Sequence, residues 1–302
     1  MKRLGKILLS LVLVLAVLCI VLAIWTEPMP DHPFYKNVDG VEVIAHRGGW
    51  GVWPENTLYA FQNSVDLGVD ILETDIRRTK DGHLVVFHDA KVDRTTDGTG
   101  QVNNFTLAEL KQLDAGYKWS SDKKQTFPFR GQGIVIPTLA EVFEAFPQMR
   151  MSIEIKERDS DIVEVFGDLI CRYGMQDRVL VACFDSGTLK RFREHFPEVA
   201  TSAGLTESFI FFALCRLYLS AVYHPNVEVL QFPLKFGPFD TKHPNLLDGA
   251  HKNNIQVQIW TVDDESDMKA LIERGVGGII TRYPDRLLKV LGRLPEKGER
   301  DG

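Results

Sequence analysis

Four stretches of this sequence end an apolar run in residues that carry chemistry. His46-Arg47-Gly48 follows VEVIA, Glu73 and Asp75 sit in ILETDIRR, His88-Asp89 follows LVVF, and Glu154 and Lys156 lie in MSIEIK. Imidazoles take and give protons near neutral pH. Clustered carboxylates suit a hard cation. Guanidinium and ammonium groups suit an anion such as a phosphate. Together they describe proton-transfer chemistry on an anionic substrate beside a divalent metal.

The elements that must position these groups can be read from the spacing. The run Ile71 to Arg77 and the run Leu84 to His88 are joined by a short link containing Asp81-Gly82. A parallel crossover needs a dozen or more residues, so the two strands form an antiparallel hairpin. Asp-Gly favours a two-residue type I′ turn, which sets Lys80 opposite His83 and Asp75 opposite His88. Glu73 lies two residues from Asp75 and therefore on the same face. The strands are rich in Ile, Leu, Val and Phe, so the hairpin is expected to be largely buried rather than a solvated surface feature. Buried carboxylates need a partner, and a cation is the usual one.

In Met151 to Lys156, Ile153 and Ile155 alternate with Ser152, Glu154 and Lys156. Barrel strands have no wet outer face, so one alternate set points inward. That set would bring Glu154 and Lys156 to the same mouth. Further apolar runs begin near 41, 71, 151, 179, 201, 229, 256 and 277, mostly separated by helical stretches such as Leu58 to Val65 and Asp264 to Arg274. Eight such strands predict a (β/α)₈ barrel with its chemistry at the carboxyl ends of the strands. Asn56 or Thr57 would cap the first helix. The turn-rich segment from Ala90 to Pro137 is too long for an ordinary connection and reads as a small insertion over the mouth.

The whole chain sets outer limits. Its 302 residues, 44% hydrophobic and 25% charged, suit one large globular domain. A net charge of −6 argues against a nucleic-acid binder. Four cysteines, with none in CxxC spacing, make neither a disulfide framework nor a zinc site. Lys2, Arg3 and Lys6 precede an unbroken apolar run from Ile7 to Trp25. That run is long enough to nearly span a bilayer core. No small-x-small cleavage site follows it. It reads as an uncleaved single-pass anchor over 1–25, with the catalytic domain on the non-cytoplasmic side. A tether over 26–40, a barrel over 41–292 and a disordered tail over 293–302 complete the organisation. Ser208 to Phe239 is dense in aromatic and aliphatic residues. It is either a core-packing helix or an apolar lip that meets a membrane or an acyl chain.

The ordered set HRG at 46, PENT at 54, ETD at 73, TKDG at 79, HD at 88, RTTDGTG at 94, PTLAEVF at 137, IEIK at 153, WTV at 260 and GVGGIITRYPD at 275 resembles the glycerophosphodiester phosphodiesterases. The resemblance implies one divalent cation, Mg²⁺ or Ca²⁺, held by Glu73, Asp75 and Glu154, with His46 and His88 as paired catalytic histidines. It also implies that Arg47 and Lys156 contact the phosphate and that Trp260 lines the substrate pocket. Arg282 departs from the pattern, standing where an aspartate is usual. The implied reaction is hydrolysis of a glycerophosphodiester to glycerol 3-phosphate and an alcohol. The chemistry of the residues divides the proton traffic between the two imidazoles, with His46 assigned as base and His88 as acid. Lysophospholipase D action on a membrane lysophospholipid is the second reading, using Ser208 to Phe239 for the acyl chain. An inactive tethered phospholipid-binding module is the third.

Overall fold

A computed structural model of the chain describes residues 27–36, 38–158, 161–223, 226–236, 239–240 and 244–294, together with Lys6, Ile7, Ser10, Leu13, Val14, Val17 and Val21. The anchor expected over 1–25 thus lies largely outside the described residues. Among those described, no helix is long and apolar enough to cross a membrane.

Eight parallel strands carry the fold. In chain order the strands are β1 (Glu42–Ala45), β2 (Ile71–Arg78), β3 (Leu84–Val86), β4 (Arg150–Ile155), β5 (Val179–Ala182), β6 (Ala200–Thr201), β7 (Val229–Pro233), β8 (Lys235–Phe236), β9 (Phe239–Asp240), β10 (Gln256–Trp260) and β11 (Gly278–Thr281). The barrel path runs β6-β5-β4-β2-β1-β11-β10-β7. A parallel bridge from Ser202 to Val229 joins the two ends of that path and closes it. These are the eight strands that the apolar runs predict. The antiparallel β3 hangs on β2 outside the ring, and β8 and β9 form a separate small ribbon. Helices follow the barrel strands, beginning with Leu58–Leu67, capped by the Thr57 hydroxyl. Thr138 and Glu141 form a reciprocal capping box that starts Leu139–Ala145.

Alternation along each strand separates two cores. Val43, Leu72, Met151, Ile153, Val181 and Val257 pack outward against the helices in one large cluster. Ile44, Ile71, Leu180, Ala200, Val229 and Ile280 pack inside the barrel, and Phe34 fills the space among them. Residues 26–40 therefore do not act as a plain tether. Phe34 is fully buried, Met29 N–H donates to the Asn253 carbonyl, and Asn254 Nδ2 donates to Met29 O and Asp31 Oδ1. The folded unit begins before Val41 and includes its own floor plug. Arg293 and Leu294, the first residues of the expected tail, are part of the folded unit, and 295–302 lie outside the described residues. Arg293 pairs with Asp70 at 2.6 Å and donates to the Gly68 carbonyl, and Leu294 packs against the outer core.

The hairpin register differs from the expectation by one residue. Ile76 pairs with Val86 and Arg78 with Leu84, so Asp75 faces Phe87, whose N–H donates to the Asp75 carbonyl. The loop holds three residues, 80–82, and Gly82 takes the left-handed conformation (φ 87°) that closes it. The insertion over 90–137 has its own small core around Val92, Val102, Leu110 and Ile136, packed on β3. It flanks the mouth rather than covering it.

At the floor, Glu42 is 3% exposed and faces Arg150. Burial, partly offset by the Arg150 cation, pushes its carboxyl up to about 7. An acid whose folded pKa is raised costs stability as the pH climbs from its ordinary value of 4.5 to about 7. The full cost is about 3 kcal/mol as an order of magnitude. Glu42→Gln is therefore expected to lose less stability than the wild type between pH 5 and pH 8, read as urea midpoints. Parallel curves for the two proteins would show that Glu42 does not titrate there.

Candidate active site

The carboxyl ends of the strands open into a cavity of about 710 Å³. His46, Arg47, Glu73, Asp75, His88, Glu154, Lys156 and Trp260 all line it. Parallel pairing sets Asp75 beside Glu154 across β2 and β4. The alternation that puts Ile71 inside also turns Glu73 and Asp75 inward. Carboxylate oxygens of Glu73, Asp75 and Glu154 lie within 4.8 Å of one another. Among the described residues this is the one group of three or more potential metal ligands.

Three acids in so small a volume repel one another. Burial and Asp75 push the Glu73 carboxyl up, against Arg47 and Lys156. Burial also raises Glu154, with Lys156 opposing. Asp75 goes the other way: burial would raise it, but the Lys156 and Arg47 cations outweigh burial and hold it ionised. Lys156 Nζ bridges Asp75 Oδ1 at 3.0 Å and Glu154 Oε2 at 2.8 Å. Burial alone would lower the ammonium, yet these two acids raise it. Its single charge stands among three acids, and all the donors are hard oxygens. That donor set suits a divalent cation of the Mg²⁺ or Ca²⁺ kind.

Arg47 sits in the left-handed region (φ 50°) at the end of β1. Its backbone N–H donates to Glu73 Oε2 at 2.7 Å, and Nη1 donates to Glu55 at 3.1 Å. Nε is buried without a hydrogen-bond acceptor, 3.5 Å from Asp75. Its charge therefore falls on the Asp75 carboxylate. The turn approaches the first helix closely, since a Cβ on Gly48 would lie 2.7 Å from the Phe61 ring.

The two histidines have different partners. His88 Nδ1 lies 2.6 Å from Asp89 Oδ1. Burial opposes ionisation of Asp89, but hydrogen bonds from Arg94 and His88 draw it down to about 2. His46 Nδ1 is 3.3 Å from the Trp50 indole N–H and 3.4 Å from the Thr261 hydroxyl. Its Nε2 lies 3.9 Å from Glu73. Burial and then Arg47 push His46 down to about 3. Burial and Arg47 also lower His88, with Asp75 and Asp89 opposing. Both rings are neutral at pH 7.

Several residues in this network carry no role in the sequence reading. Asn56 does not cap the helix. Its Nδ2 donates to Asp75 Oδ2 at 3.0 Å, and its Oδ1 accepts from Thr74 at 2.8 Å. Glu55 accepts two hydrogen bonds from Arg94, both 2.7 Å, and so ties Arg47 to the Arg94-Asp89-His88 chain. The signal for them was present as the PENT, HD and RTTDG segments, whose types alone suggest turns and caps.

Opposite the acids the wall is apolar. Trp260 meets Phe184 edge to face at 6.0 Å, and Leu205, Phe209, Phe212 and Phe232 continue the lining. The helix Leu205–Arg216 buries Phe211 and Cys215 while Phe209 stays 52% exposed at the rim. It is thus both a core helix and an apolar lip.

Comparison with known proteins agrees with this site. The glycerophosphoryl diester phosphodiesterase family pattern matches residues 46–286. A glycerophosphodiester phosphodiesterase of Caldanaerobacter subterraneus is 36% identical over 254 residues, 82% of this chain and 97% of that protein. A lysophospholipase D of Rattus norvegicus is 26% identical over 276 residues, 83% of this chain and 86% of that protein. An Oleispira antarctica phosphodiesterase solved with the product sn-glycerol-3-phosphate superposes with a TM-score of 0.67 at 27% identity, covering 86% of this chain and 99% of that one. With the match running from the first histidine of the cavity to the last helix, the chain belongs to the glycerophosphoryl diester phosphodiesterase family and is a phosphodiesterase of that kind.

Proposed function

We propose that the chain hydrolyses deacylated glycerophosphodiesters to glycerol 3-phosphate and an alcohol, with one divalent cation on Glu73, Asp75 and Glu154. The convergence of those three acids beneath two neutral imidazoles carries the reading. When bound there, Mg²⁺ or Ca²⁺ would neutralise the nonbridging phosphate oxygens as charge builds on them. Asn56 keeps Asp75 oriented. Arg47 would offer its guanidinium to a phosphate oxygen, and Lys156 adds a point charge.

Hydrogen-bond logic reverses the acid and base roles expected from sequence. Asp89 is an ionised acceptor, so Nδ1 of His88 carries the ring proton and Nε2 is free to take one. An indole N–H only donates, so Nδ1 of His46 accepts and its proton sits on Nε2. His88 is then the base that activates water or a neighbouring glycerol hydroxyl. His46 is the acid that protonates the departing alkoxide.

Exposed Phe184, Leu205 and Phe209 at the rim, 53%, 50% and 52% exposed, favour lysophospholipase D action as the second reading, since an acyl chain would cover them. The run Ile7 to Trp25 is proposed as a single-pass anchor with the barrel on the non-cytoplasmic side. Met29 and Phe34 join the barrel at its floor, so an anchor ahead of them attaches at the end remote from the mouth. That placement favours a substrate arriving from water.

Chelation with EDTA is expected to remove activity, and Mg²⁺ or Ca²⁺ to restore it. Turnover unaffected by chelator would remove the cation from the mechanism. His46→Ala is expected to lose about 10²-fold or more on glycerophosphocholine but less than about 10-fold on a p-nitrophenyl diester, whose leaving group needs no acid. His88→Ala should lose equally on both. The opposite pattern would restore the roles expected from sequence. Phe209→Ser is expected to lower kcat/KM for lysophosphatidylcholine about 10-fold more than for glycerophosphocholine if the rim holds the acyl chain. An equal effect on both would dismiss the second reading.

A further inference from the structure

Arg282 is the one position noted above that departs from the family pattern, and it lies against the residue that contacts His46. Its guanidinium sits 4.8 Å from the centroid of the Trp50 ring, a stacking distance for a cation over an indole. Asp263 fixes it from the other side. The Arg282 side chain pairs with Asp263 Oδ2, its backbone N–H donates to Asp263 Oδ1 at 2.9 Å, and the Thr281 hydroxyl donates to the same oxygen at 3.2 Å.

The backbone holds Trp50 in the same place. Gly51 N–H donates to the Arg282 carbonyl at 3.0 Å. A Cβ at position 51 would come within 2.5 Å of the Tyr283 ring, so only glycine lets the two segments lie this close. Trp119 Nε1 donates to the Trp50 carbonyl at 2.9 Å. The indole N–H is left one good acceptor, His46 Nδ1 at 3.3 Å. The Thr261 hydroxyl near the same nitrogen can donate or accept, so it cannot by itself choose a tautomer. The indole can, because it has no lone pair to offer.

We infer that Asp263, Arg282 and Trp50 form a positioning relay that holds His46 Nδ1 as an acceptor and so places the ring proton on Nε2, facing the reacting centre. Trp50 lines the cavity and its ring lies 5.9 Å from the Arg47 guanidinium, but the role assigned here to Trp50 and Arg282 acts through the imidazole. An aspartate at position 282 would place a carboxylate near the Asp263 carboxylate and leave the indole unpinned. The inference builds on the reading of His46 as the proton donor to the leaving alcohol.

The test uses the full chain labelled with ¹⁵N-histidine, with Mg²⁺ present, and His46 assigned by the signal missing in His46→Ala. Imidazole ¹⁵N shifts report which nitrogen carries the proton. The wild type is expected to show His46 protonated on Nε2. In Trp50→Phe the proton should distribute over both nitrogens, and in Arg282→Gln it should do so partly. Trp50→Phe is expected to lower kcat on glycerophosphocholine roughly 10-fold with little change in KM, and on a p-nitrophenyl diester by less than roughly 3-fold, within the range positioned proton transfer provides. Arg282 is partly exposed, with 37% of its side chain open to solvent, so Arg282→Gln serves if the tryptophan variant does not fold. A wild-type His46 protonated on Nδ1, or one that keeps its Nε2 proton in both variants, overturns the relay. Loss in His46→Ala that ignores the leaving group would instead overturn the acid role, and the ¹⁵N shifts would still decide what Trp50 does.

Discussion

Three carboxylates gathered at one end of a barrel are the constraint on which the rest depends. In a medium less polarisable than water, like charges a few ångströms apart cost several kcal/mol unless cations or protons answer them. The chain answers with Lys156 between Asp75 and Glu154, with the Arg47 backbone amide on Glu73, and with Asn56 on Asp75. These groups come from three separate strand ends and one turn. The site therefore exists only when β1, β2 and β4 are in register.

A second layer controls geometry rather than charge. Glu55 links Arg47 to Arg94, and Arg94 holds Asp89 against His88. One histidine thus hangs on a carboxylate and the other on an indole. Burial lowers both rings, but their hydrogen-bond partners differ. A carboxylate only accepts and an indole only donates, and the proposed division of acid and base roles rests on that difference.

How much of this is legible in the sequence follows from the range of each interaction. The eight strands are, because each is a short apolar run set off from the next, and the alternation in ILETDIRR and MSIEIK carries Glu73, Asp75, Glu154 and Lys156 inward without any knowledge of tertiary contacts. The hairpin register is not, because Asp-Gly permits both a two-residue and a three-residue loop, and the choice depends on how β3 packs on the insertion. His88 still reaches the site, since β3 ends at Val86 and leaves the following two residues free of the alternation. Asn56 and Phe34 are illegible for another reason. A polar residue before a helix reads as a cap, and an aromatic in a proline-rich stretch reads as a tether, until their distant partners are known. Arg282 is visible as an oddity in sequence, but Trp50 lies more than two hundred positions away and no local pattern connects them.

The barrel's two ends divide its duties. Phe34 and the Glu42-Arg150 pair seal the floor, a tight apolar plug with one buried acid-guanidinium pair that touches no reacting group. The mouth carries the opposite composition, a charged half facing an apolar half formed by Trp260, Phe184 and the lip helix. A phosphodiester needs only the charged half. The apolar half offers a surface on which a head group or an acyl chain can shed water without competing for the cations. In the proposed reading, substrate size is set by how far Phe209 and its neighbours stand from the acids, while the acids and the two imidazoles set the chemistry. Such a separation would let one centre accept small and large diesters through changes in a single helix, leaving Glu73, Asp75, Glu154, His46 and His88 untouched.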